Sequence, residues 1–356
     1  MFEHSTFYIR DFYMIFVKRK IALKKTLLLP LILFGIFTHA QAVRKYSNEF
    51  MSIGVDAAAL GMSNAVTAST GDVNSGYWNP AGLFRIEDSE ASLMHASYFA
   101  NIAQYDYAAY AKKIDDRSAW GISLIRFGVD DILNTTQLID SQGNIDYNRI
   151  SLFSTADYAL TFSYARKSQL KEITYGVNAK VIRRIIGEFA NSWGFGFDAG
   201  LQYQKDDWQF GVMVRDITTT YNVWAIDEDK FNEIKDAVEG QNQELPEDTE
   251  ITLPKAQLGI AKKFEFHYDY TLLAAVNLNM QFARTNDILA SDAVSVDPAI
   301  GFEFGYTDLV FLRAGVGNFQ NVVQLDGSTK VNFQPNIGLG FKYRGIQVDY
   351  ALTDLG

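Results

Sequence analysis

Cysteine is absent from this 356-residue chain, and proline (6) and histidine (4) are scarce. Without cysteine there is no disulfide and no thiolate nucleophile or ligand, so stability has to come from burial and hydrogen bonding. His4 and His39 fall in the first forty residues, while His95 and His267 lie far apart in strand-like surroundings. That spacing offers no metal-ligand cluster, and neither a metal nor another cofactor is expected. Catalytic sets are missing as well. Asp130 with Asp131, and Asp206 with Asp207, are adjacent carboxylates whose side chains point apart on extended chain. The stretch GFGFDAG precedes no helix that could cradle a phosphate, and no nucleophile elbow is present, so the chain does not read as an enzyme.

The first forty residues differ from the rest. Lys18, Arg19, Lys20, Lys24 and Lys25 precede the apolar run TLLLPLILFGIFTHA, and small residues follow in HAQA. The run is short of the ~20 residues of a membrane helix, and the order is that of a secretory signal peptide over residues 1–42, with Met14 as an alternative start. This leader holds six basic and two acidic residues, which leaves 26 Lys+Arg against 40 Asp+Glu in the remainder. So acidic a chain does not suit a nucleic-acid partner.

From residue 89 onward the hydrophobic period is two. In SWGFGFDAGLQYQ one face carries Trp193, Phe195, Phe197, Ala199, Leu201 and Tyr203, and the other Gly194, Gly196, Asp198, Gly200, Gln202 and Gln204. Segments of ~10 residues, a polar face of Gly, Asn, Gln and Lys, and aromatic residues near strand ends point to strands that cross a bilayer. Tyr158 and Tyr164, and likewise Trp193 and Tyr203, would stand at opposite interfaces. A soluble exported β-sandwich also alternates and is the competing fold.

Thirteen strands are expected, near 89–99, 104–113, 118–127, 157–166, 172–186, 191–204, 207–216, 254–263, 269–282, 297–306, 308–316, 332–343 and 345–352. The long connections 128–156, 217–253, 283–296 and 317–331 all follow odd-numbered strands, and the turns after even-numbered strands are short, as outer-membrane barrels require. Thirteen strands leave one edge bare, which lipid does not tolerate. The parity therefore implies a fourteenth strand beyond residue 356, unless a hairpin is miscounted near GEFA at 187–190.

Residues 43–88 lack this alternation. VDAAALGM reads as a turn or two of helix starting at Asp56, followed by small residues and the motif Tyr77-Trp78-Asn79-Pro80-Ala81-Gly82. Asn79-Pro80 sets a turn and Gly82 relaxes it, which suits a compact segment folded inside a pore; an ordinary loop before the first strand is the plainer alternative. Asn178, Lys180, Gln202, Arg215, Glu303 and Lys342 are candidate lumen residues. A second unusual feature is the acidic stretch from Asp227 to Glu250, in which Phe231, Ile234 and Val238 share one face of a short helix. It reads either as a solvated loop or as a docking element.

GVDAAALGMSNAVTASTGDVNSGYWNPAGL resembles the N-terminal signature of the PorV/PorQ family of outer-membrane proteins, relatives of the FadL-type transporters of hydrophobic compounds. LPKAQLGIAKKF and VDYALTDLG look like later family strands. Where the family reads Gly-Met-Gly-Gly, this chain reads Gly61-Met62-Ser63-Asn64. The resemblance implies an all-β, FadL-like transmembrane barrel of about 14 antiparallel strands over 89–356, with an N-terminal hatch at 43–88 inside the lumen. It further implies a Bacteroidetes-type outer membrane and a role in type IX secretion. There the partners would be outer-membrane lipid, the C-terminal signal domains of secreted cargo, and the surface attachment machinery. Uptake of hydrophobic compounds, as in FadL-type channels, is the alternative function.

Overall fold

A computed structural model describes residues 47–139, 142–170, 172–237, 248–267 and 269–353, the side chains of 233–237 excepted. The expected leader, Val238 and any fourteenth strand lie outside the described residues. Period-two alternation becomes sixteen strands: β1 (Ser89–Tyr98), β2 (Ala103–Asp115), β3 (Ser118–Asn134), β4 (Ser151–Lys167), β5 (Ile173–Ile186), β6 (Ala190–Lys205), β7 (Trp208–Arg215), β8 (Thr220–Ile226), β9 (Thr249–Thr252), β10 (Lys255–Phe266), β11 (Tyr270–Gln281), β12 (Leu289–Ala290), β13 (Ser295–Tyr306), β14 (Val310–Val323), β15 (Thr329–Tyr343) and β16 (Ile346–Thr353).

All sixteen belong to one antiparallel sheet, and thirteen of them form its main path in the order β1-β2-β3-β4-β5-β6-β7-β10-β11-β13-β14-β15-β16. These are the thirteen strands expected from the sequence. The turn at 187–189 between β5 and β6 is a genuine tight hairpin, with Gly187 at φ 50°. Among the described residues β1 pairs only with β2 and β16 only with β15.

Several loops are shorter than the alternation suggested. β3 and β4 continue as a paired arm to Asn134↔Ser151, and β14 and β15 to Val323↔Thr329, so the expected loops 128–156 and 317–331 shrink to 135–150 and 324–328. The expected loop 217–253 contains β8 and β9, which pair with each other, and β8 also extends the ladder along the first half of β6. In effect β7 and β8 are one long strand broken at 216–219, where Asp216 and Thr219 take positive φ. The long connections still gather at one end of the sheet and the short turns at the other.

The sheet curls around residues 47–88. This segment is built from the short helices Ala57–Gly61 and Ser75–Trp78 and the 3₁₀ turns Glu49–Ser52 and Pro80–Arg85. Helices this short are unstable alone and are held by packing. Val55, Ala81, Leu83 and Ile86 are buried, and Leu83 and Ile86 pack with Val73 against the small wall residues Ala111, Ala119 and Ala165. Outward side chains such as Phe195, Phe197, Leu312 and Leu339 are exposed.

Candidate functional site

The motif Tyr77–Gly82 lies where the segment meets the wall most closely. Asn79 is extended (φ −162°, ψ 104°), as the residue before a proline prefers. Its Oδ1 accepts a hydrogen bond from the Ala81 N–H at 3.2 Å, capping the 3₁₀ turn that Pro80 opens. Its Nδ2 donates to the carbonyls of Thr67 at 3.0 Å and of Leu201 on β6 at 3.2 Å. One asparagine therefore caps a turn, ties two hatch segments together and bonds the wall. Gly82 is required because a Cβ there would sit 2.4 Å from the Thr70 carbonyl oxygen.

Tyr77 and Trp78 are buried and meet edge to face at 4.8 Å. The Tyr77 hydroxyl donates to the Met51 carbonyl at 2.7 Å, and Trp78 Nε1 donates to the Val55 carbonyl at 3.1 Å. Arg215 of β7 lies over the Tyr77 ring at 4.5 Å and donates to the Tyr77 carbonyl at 2.8 Å. A cation over an aromatic face gains further when both are shielded from water.

Four of the six candidate lumen residues hold the hatch or the wall around it. Asn178 donates to the Gly76 carbonyl at 2.9 Å and to Asp198 at 3.1 Å. Lys180, buried, is 2.7 Å from both Asp198 and Asp216. Gln202 donates to the Thr67 and Thr70 carbonyls and accepts from Arg85 at 2.5 Å. Arg215 is the clamp on Tyr77. Glu303 instead pairs with the buried Arg313, which also bonds Asp349 at 2.6 Å. Lys342 shares the inward register of Gly338 and Gly340 near the short-turn end and is exposed.

The Lys180–Asp198–Asp216 cluster marks the break between β7 and β8: Asp216 N–H donates to Asp198 at 2.9 Å, and the Thr220 hydroxyl donates to Asp216 at 2.6 Å. Asp56 caps the helix Ala57–Gly61 by accepting from the Ala58 N–H at 3.1 Å. Burial, with the nearby Asp72 adding to it, pushes the Asp56 carboxyl up to about 8. Burial also lowers Arg85 to about 10.

The wall glycines that receive the hatch were not singled out from the sequence. A Cβ at Gly200 would lie 2.0 Å from Asn79 Oδ1, at Gly176 2.4 Å from the Pro80 carbonyl carbon, and at Gly211 2.3 Å from the Thr67 carbonyl oxygen. Gly301 and Gly315 abut Met62 in the same way. Gly176 faces Gly200, Gly211 faces Gly259, and Gly301 faces Gly315 across neighbouring strands. The available signal was glycine recurring at inward positions of strands, where it otherwise weakens a sheet. At the point where the family signature reads Gly-Gly, Ser63 and Asn64 hold positive φ of 52° and 63°.

Above the hatch, at the long-loop end, a vestibule of about 580 Å³ is rimmed by strand ends such as Tyr98, Lys255, Gln281, Asp297 and Thr353. Tyr77 and Trp78 form part of its floor. The acidic stretch lies nearby in sequence, but its parts differ. Asp227 accepts from the Lys230 N–H and precedes the helix Glu228–Ala237, in which Phe231 is partly exposed and Ile234 is placed by its backbone alone. Glu250 is not a loop residue. It stands in β9 and pairs at 3.3 Å with Arg184 of β5, which also bonds Asp157 at 3.0 Å.

A curved antiparallel wall, outward side chains apolar and inward ones polar, with an N-terminal segment seated inside, defines an outer-membrane β-barrel of the FadL-like class. Two solved structures share this fold at a TM-score of 0.50 and 12% identity. One is the CymD monoaromatic hydrocarbon channel, covering 87% of this chain and 93% of that one. The other is the deltaS2 mutant of the TodX monoaromatic hydrocarbon channel, covering 84% and 92%. A search of curated proteins finds no match. The model of the type IX secretion system protein PorV family matches residues 38–281, and the chain belongs to that family.

Proposed function

We propose that this barrel is an accessory of type IX secretion that binds exported proteins or the attachment machinery at its long-loop end, after export under the leader 1–42. The observation that supports this reading is the way the hatch is held. Gln202 and Arg215 bond hatch backbone carbonyls, Asn79 of the hatch bonds the wall carbonyl of Leu201, and five wall glycines admit the hatch backbone at contact distance. So firmly seated a plug suits a docking platform better than an open pore, and no chemistry is required of it. The cargo's C-terminal signal domain is the expected ligand, and the helix Glu228–Ala237 with the acidic residues after it is the expected outer contact.

Deletion of 229–247 tests this, because it leaves β8, β9 and the Arg184–Glu250 pair in place. The shortened barrel should still run as a folded species on unboiled gels yet lose co-purification of signal-domain proteins from solubilised outer membranes. Unchanged co-purification and surface display of cargo would refute the docking role. A second reading, uptake of hydrophobic compounds, is favoured by the aromatic floor of the vestibule. It requires a path past the hatch, and liposome uptake of a hydrophobic probe that rises when the hatch is loosened by Asn79→Ala would support it.

A further inference from the structure

The clamp on the hatch does not end at Arg215. While one guanidinium nitrogen donates to the Tyr77 carbonyl, its Nε donates to Gln257 Oε1 on β10 at 3.2 Å. Gln257 Nε2 donates in turn to Asn279 Oδ1 on β11 at 2.9 Å, and Asn279 reaches the Asp297 carboxylate directly across the ladder on β13. Asp297 Oδ1 accepts from the Phe319 N–H of β14 at 3.1 Å. The four side chains form a belt on the vestibule wall, about 14 Å from first strand to last at ordinary strand spacing.

This belt has one polarity. A guanidinium can only donate and an ionised carboxylate can only accept, so the amides of Gln257 and Asn279 between them satisfy both neighbours in a single orientation. Each bond polarises the next, and turning either amide would set like against like on both its sides. The far end is fastened to an outer loop. Beyond Ile300↔Val316 the ladder between β13 and β14 stops, and Phe319 falls within the register shift from Gly317 to Gln320, next to Asn318 at φ 53°. Here residues 286–288 take the place of a neighbouring strand. Ile288 N–H donates to the Phe319 carbonyl at 2.9 Å, Asn321 N–H to the Asn286 carbonyl at 2.7 Å, and Asn321 Nδ2 to the Asp287 carbonyl at 3.3 Å.

We infer that Gln257, Asn279 and Asp297 are positioning residues through which the outer loop at 286–288 holds the hatch. While that loop stays docked on β14, Phe319 fixes Asp297, Asp297 fixes the two amides, and Gln257 keeps the guanidinium over Tyr77. Lifting the loop frees Asp297, lets the amides turn and takes from Arg215 an acceptor that orients it. A protein docked on the outer loops thereby loosens a plug that it does not touch. The inference concerns how the hatch is held, so it stands or falls apart from the secretion role.

The absence of native cysteine allows a buried reporter without background. Val55 is fully buried in the hatch and its carbonyl accepts from Trp78, so a maleimide reaches Val55→Cys only when the hatch loosens. In the purified barrel, intact on unboiled gels, Ile288→Pro removes the N–H that docks the loop on Phe319 and should speed labelling at position 55 several-fold. Should that variant not fold, Asn321→Ala loosens the same loop. Asn279→Leu cuts the belt midway and should have a similar effect, and combined with the loop variant it should label no faster than the faster single substitution. Gln257→Glu is the sharpest arm: a glutamate still accepts from Arg215 but cannot donate to Asn279, so labelling should stay slow and no longer respond to the loop. Unchanged labelling in both loop variants would overturn the inference. So would loop and belt effects that multiply, or a Gln257→Glu barrel that still responds to the loop.

Discussion

Along β6 the two faces of one strand do opposite work. Trp193, Phe195, Phe197 and Leu201 point outward and are exposed, while Gly194, Gly196, Asp198, Gly200 and Gln202 between them point inward and are buried. The outward side meets a fluid that adapts to any apolar shape, so polarity alone constrains it. The inward side meets a folded hatch at atomic contact, so volume and hydrogen-bond geometry both constrain it. Equal changes on the two faces should therefore have unequal effects.

The largest difference is expected at Gly200. Its Cβ position is 2.0 Å from Asn79 Oδ1, so Gly200→Val should prevent the hatch from seating, seen as rapid proteolysis of residues 47–88 and ion leakage in planar bilayers. The neighbouring Phe197→Leu should leave both readouts unchanged. Next comes Lys180→Met, which leaves Asp198 and Asp216 buried without their cation. Urea unfolding of the refolded barrel should show a loss of about 3–5 kcal/mol, and the outward Arg183→Met should cost far less.

Asn79→Ala removes donors from the carbonyls of Thr67 and Leu201 and should cost about 1–3 kcal/mol by the same measurement, with the barrel still assembled. Unchanged hatch protection in that variant would favour the plain-loop reading of the motif. The smallest effect is one of pH. Because the Asp56 carboxyl is raised to about 8 by burial and by Asp72, its protonated form stabilises the seated hatch. That contribution is full below pH ~4 and is lost as pH rises through about 8. Hatch protection should fall over that window, and Asp56→Asn should flatten the fall. Protection that rises with pH would contradict the assignment.

The thirteen strands of the main path and the sorting of long and short connections were legible because alternation with period two and turn residues are local signals. Leu133↔Leu152 and Val323↔Thr329 were not, since register shifts between Val129 and Ile132 in β3 and between Gly317 and Gln320 in β14 break the alternation before these strands end. β8 does alternate, with Tyr221, Val223 and Ala225 against Asn222 and Trp224, yet its pairing depends on the break at 216–219. Asp198 of β6 and Lys180 of β5 hold that break, and these residues meet Asp216 only after the sheet curls. The inward glycines were visible one at a time, and their purpose was not. Glycine in a strand has many causes, and only the seated hatch supplies this one.

By itself the sequence determined that this chain is built of strands with one polar and one apolar face after a distinct N-terminal segment, because solvent partition acts on each residue independently; a barrel was favoured over a sandwich and not fixed. Tertiary structure alone decided which partners meet: Asn79 with Leu201, Arg215 with Tyr77, Lys180 with two aspartates, His95 with Asp106 and Arg126. Those meetings depend on strand register and on how far the sheet curls. Both arise from the packing of the whole wall around its hatch, and no short stretch of chain encodes them.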